Sequence, residues 1–85
     1  MDQRIKIVGQ LPYMFVGLEK IEEVKGWSRE RVDWVKERIL EEGFTTPIHI
    51  KRGHADIFIR VDGKHRIQAC KELGFPYIPC KLDNL

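Results

Sequence analysis

Residues 57–74 read IFIRVDGKHRIQACKELG, and this stretch decides the fold. Apolar residues occupy every second position of Ile57–Val61, a pattern typical of a strand. The dipeptide Asp62-Gly63 ends that strand, since glycine permits a tight turn. A helix is predicted from about Lys64 to Leu73. It stops at Gly74, because glycine readily adopts the left-handed conformation that closes a helix.

The rest of the chain predicts further elements on both sides of this unit. Ser28 is a predicted helix N-cap, because its hydroxyl can accept a hydrogen bond from the first turn. In chain order the predicted elements are strands at Arg4–Val8 and within Tyr13–Leu18, a helix from Ser28 to Gly43, a strand after Pro47, the strand and helix just described, and a last strand at Tyr77–Leu82. The order β-β-α-β-β-α-β predicts an α+β domain.

The first predicted helix has one apolar stripe and one aromatic residue outside it. Val32, Val35 and Ile39 recur at helical spacing and are predicted to face the core. Trp34 is out of phase with them. We favour a second packing surface within the domain as its explanation, with contact to a protein partner as the alternative.

Length and composition predict one compact domain over residues 1–85. Hydrophobic residues make up 42% of the sequence and charged residues 33%, which is the balance of a globular protein. No apolar run approaches the roughly 20 residues of a bilayer-spanning helix, and the N-terminus has no secretory signal pattern. A cytoplasmic protein without a membrane segment is therefore expected.

The two cysteines, Cys70 and Cys80, lie ten positions apart. Two cysteines with this spacing predict neither a disulfide framework nor a zinc site. Both have apolar neighbours within predicted regular structure, so buried and inert thiols are the favoured interpretation, with a redox pair as the alternative.

The strands on either side of residues 53–56 are predicted to form a hairpin. Alternation would place His49, Lys51, Phe58 and Arg60 together on its polar face. A basic face with an aromatic residue can receive nucleic acid, and Lys51, Arg52 and Arg60 are the candidate contacts to a phosphate backbone. A solvated sheet face is the favoured interpretation.

The start of the second helix is a candidate anion site. Its first turn has free backbone N–H groups and the positive end of the helix dipole, and Gly63–Arg66 surround it. Arg66 lies on the core-facing stripe, where a guanidinium needs a partner: an internal carboxylate or a bound phosphate. Asp62 could cap the helix, pair with Arg66 or hold a metal on a phosphate. A solvated helix end is the simpler alternative.

The segments EEGFTTPIHI (41–50) and VDGKHRIQACKELGFPYIPCKL (61–82) resemble the ParB N-terminal/sulfiredoxin-like superfamily. The resemblance covers roughly residues 15–82 and centres on the Gly63-x-x-Arg66-x-x-Ala69 motif. It implies a small domain with a mixed sheet and two main helices. It also implies nucleotide phosphates at the motif helix, in contact with Gly63, Lys64, His65 and Arg66.

The branches of this superfamily differ at the motif. Sulfiredoxins carry a catalytic cysteine where this sequence has Lys64, so sulfinic-acid reduction is not expected. Chromosome-partitioning ParB proteins carry Gly-Glu-Arg-Arg and continue into a helix-turn-helix domain, whereas this sequence ends at Leu85. Sequence-specific DNA binding is not expected of this chain alone. The Asp-Gly-His-His-Arg motif of archaeal free serine kinases is similar to Asp62–Arg66.

The resemblance implies ATP, ADP or CTP as ligand, with Mg²⁺ beside Asp62. If phosphate is hydrolysed or transferred, Asp62 and His65 would orient metal and phosphate, and Glu22 or Glu23 would be the base. Solvated loop carboxylates are the alternative interpretation of Glu22 and Glu23. The alternative function is a DNA-associated ParB-like module, partition or nuclease-like, of a plasmid, virus or mobile element. A homodimer is a further possibility.

Overall fold

The computed structural model describes Ile7 and residues 13–83. In chain order the elements are β1 (Met14–Gly17), a 3-10 turn (Leu18–Lys20), α1 (Arg29–Glu42), β2 (Ile48–Arg52), β3 (Phe58–Asp62), α2 (Lys64–Leu73) and β4 (Tyr77–Leu82). The strand predicted at Arg4–Val8 lies outside the described residues apart from Ile7, which forms a single parallel bridge with Phe44. No helix in this part of the chain is long and apolar enough to cross a membrane.

The four strands form one mixed sheet in the order β1-β4-β2-β3. The outer pairs, β1 with β4 and β2 with β3, are antiparallel, while β2 and β4 run parallel at the centre. Side chains from both helices share one hydrophobic core with the sheet. The predicted α+β class, with a mixed sheet and two main helices, is confirmed.

The residues predicted to begin α1 and to end both helices do so in the structure. The Ser28 hydroxyl accepts a hydrogen bond from the N–H of Arg31 at 3.1 Å, so it caps α1. Gly43 ends that helix with φ of 77°, and Gly74 ends α2 with φ of 76°. Both values lie in the left-handed region, which glycine adopts without strain.

The core confirms the predicted stripe and the predicted thiols. Val32, Val35 and Ile39 of α1 are buried, and so are Cys70 and Cys80. Burial disfavours the thiolate and raises the pKa of both cysteines to about 12. Neither cysteine has the activated thiolate that redox chemistry requires.

The exposure of Trp34 contradicts one prediction. Its side chain is 55% exposed on α1, so the favoured packing surface within the domain is wrong for the residues that the structure describes. The Arg38 guanidinium lies 5.2 Å from the centre of its ring. The helical phase that takes Trp34 off the core stripe leaves it facing solvent, because no other described element covers that side of α1.

The register of β2 and β3 contradicts a second prediction, the polar face of the hairpin. Ile50 pairs with Arg60 and Lys51 with Ile59, and residues directly opposite each other point to the same face of a sheet. Arg60 therefore shares a face with the core residue Ile50, and the predicted polar face that joined it to Lys51 does not exist. The cause is nonlocal, since the pairing of the two strands sets the face and the alternation within one strand does not.

The same hairpin ends in an irregularity. The neighbouring residues His49 and Ile50 pair with Asp62 and Arg60, which leaves Val61 as an extra residue on β3. One extra residue in one strand is a β-bulge, which bends the strand and redirects its end. The bulge immediately precedes the turn into α2.

Candidate functional site

The turn from β3 into α2 depends on Gly63. This residue has φ of 105° and ψ of 33° and stands at the N-cap position of α2. A Cβ added there would lie 3.4 Å from Cγ2 of Ile48 and 3.5 Å from Nη2 of Arg66. Both the backbone conformation and the space therefore favour glycine. The side chain of Asp62 is exposed and makes no hydrogen bond or ion pair with other described residues, so of the roles considered for it, capping the helix and pairing with Arg66 are not observed.

Arg66 has a partner that the sequence analysis did not consider. Its Nη1 donates to the carbonyl of Thr46 at 2.7 Å and to the Thr46 hydroxyl at 3.2 Å, and its Nη2 donates to the carbonyl of Pro47 at 3.3 Å. Burial lowers the pKa of this guanidinium, and the charge of Asp62 opposes that effect. An internal carboxylate, one of the two partners considered for Arg66, is therefore not its partner among the described residues. Uncharged acceptors from the loop before β2 satisfy the half-buried cation instead.

These hydrogen bonds leave one edge of the guanidinium available. Nε–H and the second N–H of Nη2 are not used by Thr46 or Pro47. Nη2 and Nε lie 3.5 and 3.6 Å, respectively, from where a Cβ of residue 63 would be. Glycine at that position leaves this edge uncovered. Contact between Arg66 and a phosphate stays a prediction, and joining α2 to the Thr46-Pro47 segment is the role that the contacts show.

His65 joins the starts of the two helices. The backbone N–H of Ser28 donates to its Nε2 at 3.2 Å. The Nε2 atom must therefore be unprotonated, with the ring proton on Nδ1. Burial lowers the pKa of His65, and the nearby cations Lys64, Arg31 and Arg60 lower it further.

Those cations and His65 form what we call the cationic cluster: Arg31 of α1, Arg60 of β3, and Lys64 and His65 of α2. No carboxylate of the described residues lies within 4 Å of a charged nitrogen of its arginines or lysine. Nζ of Lys64 lies 3.7 Å from where a Cβ of Gly26 would be, so the cluster borders the loop before α1. Cations grouped without an ion-pair partner among the described residues are typical of an anion-binding site.

Two clefts border this region and meet at Trp34. A cleft of about 480 Å³ is lined by Ser28, Glu30, Arg31 and Trp34. A smaller cleft of about 200 Å³ runs along α1 to the loop before β2, and its lining includes Trp34, Arg38 and Arg66. The first cleft contains one member of the cationic cluster, and its Ser28 contacts another.

The candidate base residues border the cationic cluster without lining the same cleft. Glu22 and Glu23 line a cleft of about 280 Å³ together with Ile67 and Lys71. The backbone N–H of Glu22 donates to the carbonyl of Phe58 at 2.8 Å, and Phe58 lies two residues before Arg60. No hydrogen bond or ion pair of the described residues joins either carboxylate to Asp62 or His65, so the role of base stays a prediction.

The predicted nucleic-acid contacts are also separated. Arg60 belongs to the cationic cluster, and Lys51 pairs with Ile59 on the opposite face of the hairpin. Arg52 lines a different cleft with Lys20 and Phe58. Lys51, Arg52 and Arg60 therefore do not form one continuous basic surface.

No metal site is preformed in the part of the chain that the structure describes. It contains no group of three His, Cys, Asp or Glu side chains that could hold an ion. Mg²⁺ bound with a nucleotide often needs only one or two carboxylates, because phosphate oxygens and waters supply the other ligands. Asp62, exposed beside the start of α2, fits that lesser requirement.

Sequence analysis found Lys64 and His65 but missed Arg31 as a member of the site. Arg31 lies in the first predicted helix, where an exposed arginine at the solvent face is unremarkable. Arg60 was assigned to the wrong surface, because its face depends on the strand register. Only the closeness of the two helix starts connects these residues.

Solved structures similar to this chain include proteins of several activities. A free serine kinase in complex with AMP aligns with a TM-score of 0.78 and 21% identity, over 93% of this chain and 36% of the kinase. Sulfiredoxin from Arabidopsis thaliana aligns at 0.69 and 27% identity, over 85% of this chain and 86% of that one. The C-terminally truncated chromosome-partitioning protein ParB from Caulobacter crescentus, complexed with CTP-gamma-S, aligns at 0.73 and 18%, over 86% of this chain and 44% of ParB.

The chain thus spans about a third of the kinase and less than half of the ParB structure. These likenesses show the fold, in agreement with the strand order and helices described above. No curated protein matches the sequence. The model of the ParB N-terminal domain family matches residues 3–85, nearly the whole sequence. This chain belongs to the ParB N-terminal domain family.

Proposed function

We propose that this chain is a nucleotide-binding domain that holds the phosphates of its ligand at the cationic cluster. The observation that carries the proposal is that the starts of α1 and α2 meet at the hydrogen bond between Ser28 and His65. The charges of Arg31, Arg60 and Lys64 act on His65 there, and none of these cations has a carboxylate within 4 Å among the described residues. Like charges close to one another repel. A bound polyphosphate relieves that repulsion.

The start of α2 adds backbone donors to these side chains. The first turn of a helix has N–H groups without intrahelical partners, and α2 has no acidic residue there. By contrast, α1 has Glu30 in its first turn and the Ser28 hydroxyl on one of its N–H groups. An anion near Gly63 would therefore meet free backbone donors at α2, together with the cationic side chains.

The relatives support a nucleotide as the source of these phosphates. The similar kinase is in complex with AMP, and the similar ParB structure is in complex with CTP-gamma-S. ATP, ADP and CTP are accordingly the candidates. Mg²⁺ would come with the phosphates, with Asp62 as its candidate protein ligand; it would supply charge neutralisation at the phosphate oxygens.

The function proposed is binding. Phosphotransfer or hydrolysis needs a base at the acceptor, and the candidates Glu22 and Glu23 line a neighbouring cleft and form no hydrogen bond or ion pair with any member of the cationic cluster. His65 is neutral in the observed hydrogen bond, and with Asp62 it can orient a phosphate or its metal at the helix start. A catalytic role for Asp62, His65 and Glu23 stays a prediction.

Titration calorimetry of ATP, CTP and tripolyphosphate, with and without Mg²⁺, tests the proposal. Lys64→Ala and Arg60→Ala should each weaken binding of all three by about tenfold or more, since each removes a charge-assisted contact. Lys81→Ala removes an exposed lysine of β4 and changes the net charge equally, so it is the matched control. No binding by any ligand, or an equal loss in the control, would contradict the proposal.

The same variants distinguish the proposed nucleotide binding from the DNA-associated alternative. Binding to duplex DNA through scattered phosphate contacts falls steeply with salt. DNA retention that persists in Lys64→Ala, together with no calorimetric signal from nucleotides, would favour a DNA-associated module. The scattered positions of Lys51, Arg52 and Arg60 are the structural argument against it.

A further inference from the structure

We propose that Trp34 is the stacking platform for the base of the bound nucleotide. The inference rests on the proposed function and extends it, because it assigns the ligand's nonphosphate part to a particular side chain. It makes a nucleoside phosphate, and not a simple polyphosphate, the ligand class of the site.

The first argument is the state of the indole. Trp34 is 55% exposed, although a tryptophan usually buries most of its large apolar surface. The Arg38 guanidinium lies 5.2 Å from the ring centre, and Arg38 is itself held by Glu42 at 2.7 Å. A cation anchored one turn further along α1 thus supports the ring. An exposed but supported aromatic surface can receive a flat ligand with little loss of side-chain freedom.

The second argument is position. Trp34 and Arg31 line the same 480 Å³ cleft, which begins at Ser28. Ser28 donates its backbone N–H to His65 of the cationic cluster. The cleft therefore adjoins the proposed phosphate site at Ser28 and shares Arg31 with it. Trp34 lies six residues beyond Ser28, or about 9 Å along the helix axis, which is within the reach of a nucleoside whose phosphates sit at the cluster.

The third argument is the chemistry of the cleft. Its volume lies in the range of small-molecule sites, and its lining combines the aromatic face of Trp34 with a cation, Arg31, a hydroxyl, Ser28, and a carboxylate, Glu30, which can accept from the hydroxyls or amino group of a nucleoside. A nucleotide presents the complementary groups in the same order, with a flat base at one end and anionic phosphates at the other. Every base has a π-face, so stacking on Trp34 binds nucleotides without selecting the base.

Calorimetry on matched variants tests this assignment. Trp34→Ala should weaken ATP and CTP binding by about fivefold to a hundredfold, the range for loss of one base–aromatic stack. Its affinity for tripolyphosphate should stay within twofold of the wild type. Tyr77→Ala is the matched control, because Tyr77 is an aromatic of β4 with nearly the same exposure, 54%. The control should leave all three affinities unchanged.

Fluorescence gives a second measurement that does not depend on truncation. The chain has two tryptophans, so Trp27→Phe leaves Trp34 as its sole indole. In that variant ATP should quench the emission while tripolyphosphate should not, since only the base stacks on the ring. Trp34→Phe made in the wild-type chain keeps Trp27 as its sole indole. It should lose the base-dependent quenching and retain most of the nucleotide affinity, because phenylalanine also stacks. A thermal melt verifies that each variant folds.

The outcomes separate the two proposals. If tripolyphosphate and nucleotides bind alike and Trp34→Ala changes neither, the stacking assignment is wrong while the phosphate site stands. The assignment is also wrong if Trp34→Ala weakens tripolyphosphate as much as ATP. If nothing binds the wild-type protein, the phosphate site is wrong and the stacking assignment is wrong with it.

Discussion

Arg29 and Arg31 lie two residues apart on α1 and have opposite surroundings. Arg29 forms two hydrogen bonds with Glu72 of α2, at 2.6 and 2.9 Å, and one with Asp33 at 3.2 Å. Arg31 has no carboxylate within ion-pair distance among the described residues and acts on His65 beside two other cations. The comparison shows which of two surface arginines belongs to the scaffold and which is available to a ligand.

The two regions also affect stability in opposite directions. We call the group of Arg29, Asp33, Lys36, Gln68 and Glu72 the interhelix network. Glu72 accepts hydrogen bonds from Arg29, Lys36 and Gln68, and these hold the pKa of its carboxyl well below its usual range. In the cationic cluster, like charges lower the pKa of a histidine. We therefore expect the network to stabilise the contact of the helices and the like charges of the cluster to oppose it, as functional sites often do.

The largest effect on stability is expected from Arg66, a cation whose partners are neutral. Arg66→Ala removes hydrogen bonds to Thr46 and Pro47 from a half-buried site and leaves their acceptors unpaired. We expect the free energy of unfolding to fall by about 2–4 kcal/mol, measured by urea denaturation. Arg66→Lys should recover little, since a single ammonium cannot reproduce the guanidinium geometry. A loss below about 1 kcal/mol would show that these contacts are weak.

Glu72→Gln should have the second largest effect on the free energy of unfolding, because it removes the charge at the centre of the interhelix network. The depressed pKa of Glu72 means that its stabilising effect is fully present above the unfolded value of about 4.3 and is lost as the pH falls below it. The stability gap between wild type and Glu72→Gln should therefore shrink from pH 7 to pH 3. Glu37→Gln, an exposed position of α1, is the control. A gap that does not depend on pH would contradict this assignment.

His65→Gln should alter the pH dependence of stability in the neutral range. The pKa of His65 is lowered in the folded protein, whereas a histidine of the unfolded chain has a pKa of about 6.5. In the neutral pH range the folded protein therefore binds fewer protons at this residue than the unfolded chain does. Stability should thus decline as the pH falls from 7.5 to 5, and less so in His65→Gln, whose amide oxygen can accept from Ser28 without titrating. His54→Gln, in the β2–β3 turn, should keep the wild-type profile. Thermal melts between pH 7.5 and pH 5 measure the stability of each variant.

The smallest change in stability is expected from Lys64→Ala. This substitution removes like-charge repulsion within the cationic cluster and breaks no ion pair among the described residues, so stability should change by less than about 0.5 kcal/mol. Its effect on nucleotide affinity should be about tenfold, and Glu72→Gln should show the reverse, with stability lost and affinity kept. A large stability loss in Lys64→Ala would remove the distinction between the two regions.

Much of the fold could be predicted because its signals are local. The cap at Ser28, the glycines that end both helices and the turn at Gly63 depend on backbone rules within a few residues. The family motif around Gly63–Arg66 also pointed to the start of α2 as the site. The same local reasoning was wrong for Trp34 as a packing residue and could not choose among the roles considered for Asp62, since neighbouring elements decide both.

The sequence by itself determined the elements, the buried thiols and the position of the candidate site on α2. Only the tertiary structure decided which side chains surround that site. The pairing of β2 with β3 sets the face of Arg60, the closeness of the two helix starts brings in Arg31, and the Thr46 and Pro47 carbonyls, about twenty residues away in the chain, hold Arg66. Those arrangements depend on contacts between distant segments, whose geometry follows from the packing of the whole core and not from any one stretch of the chain.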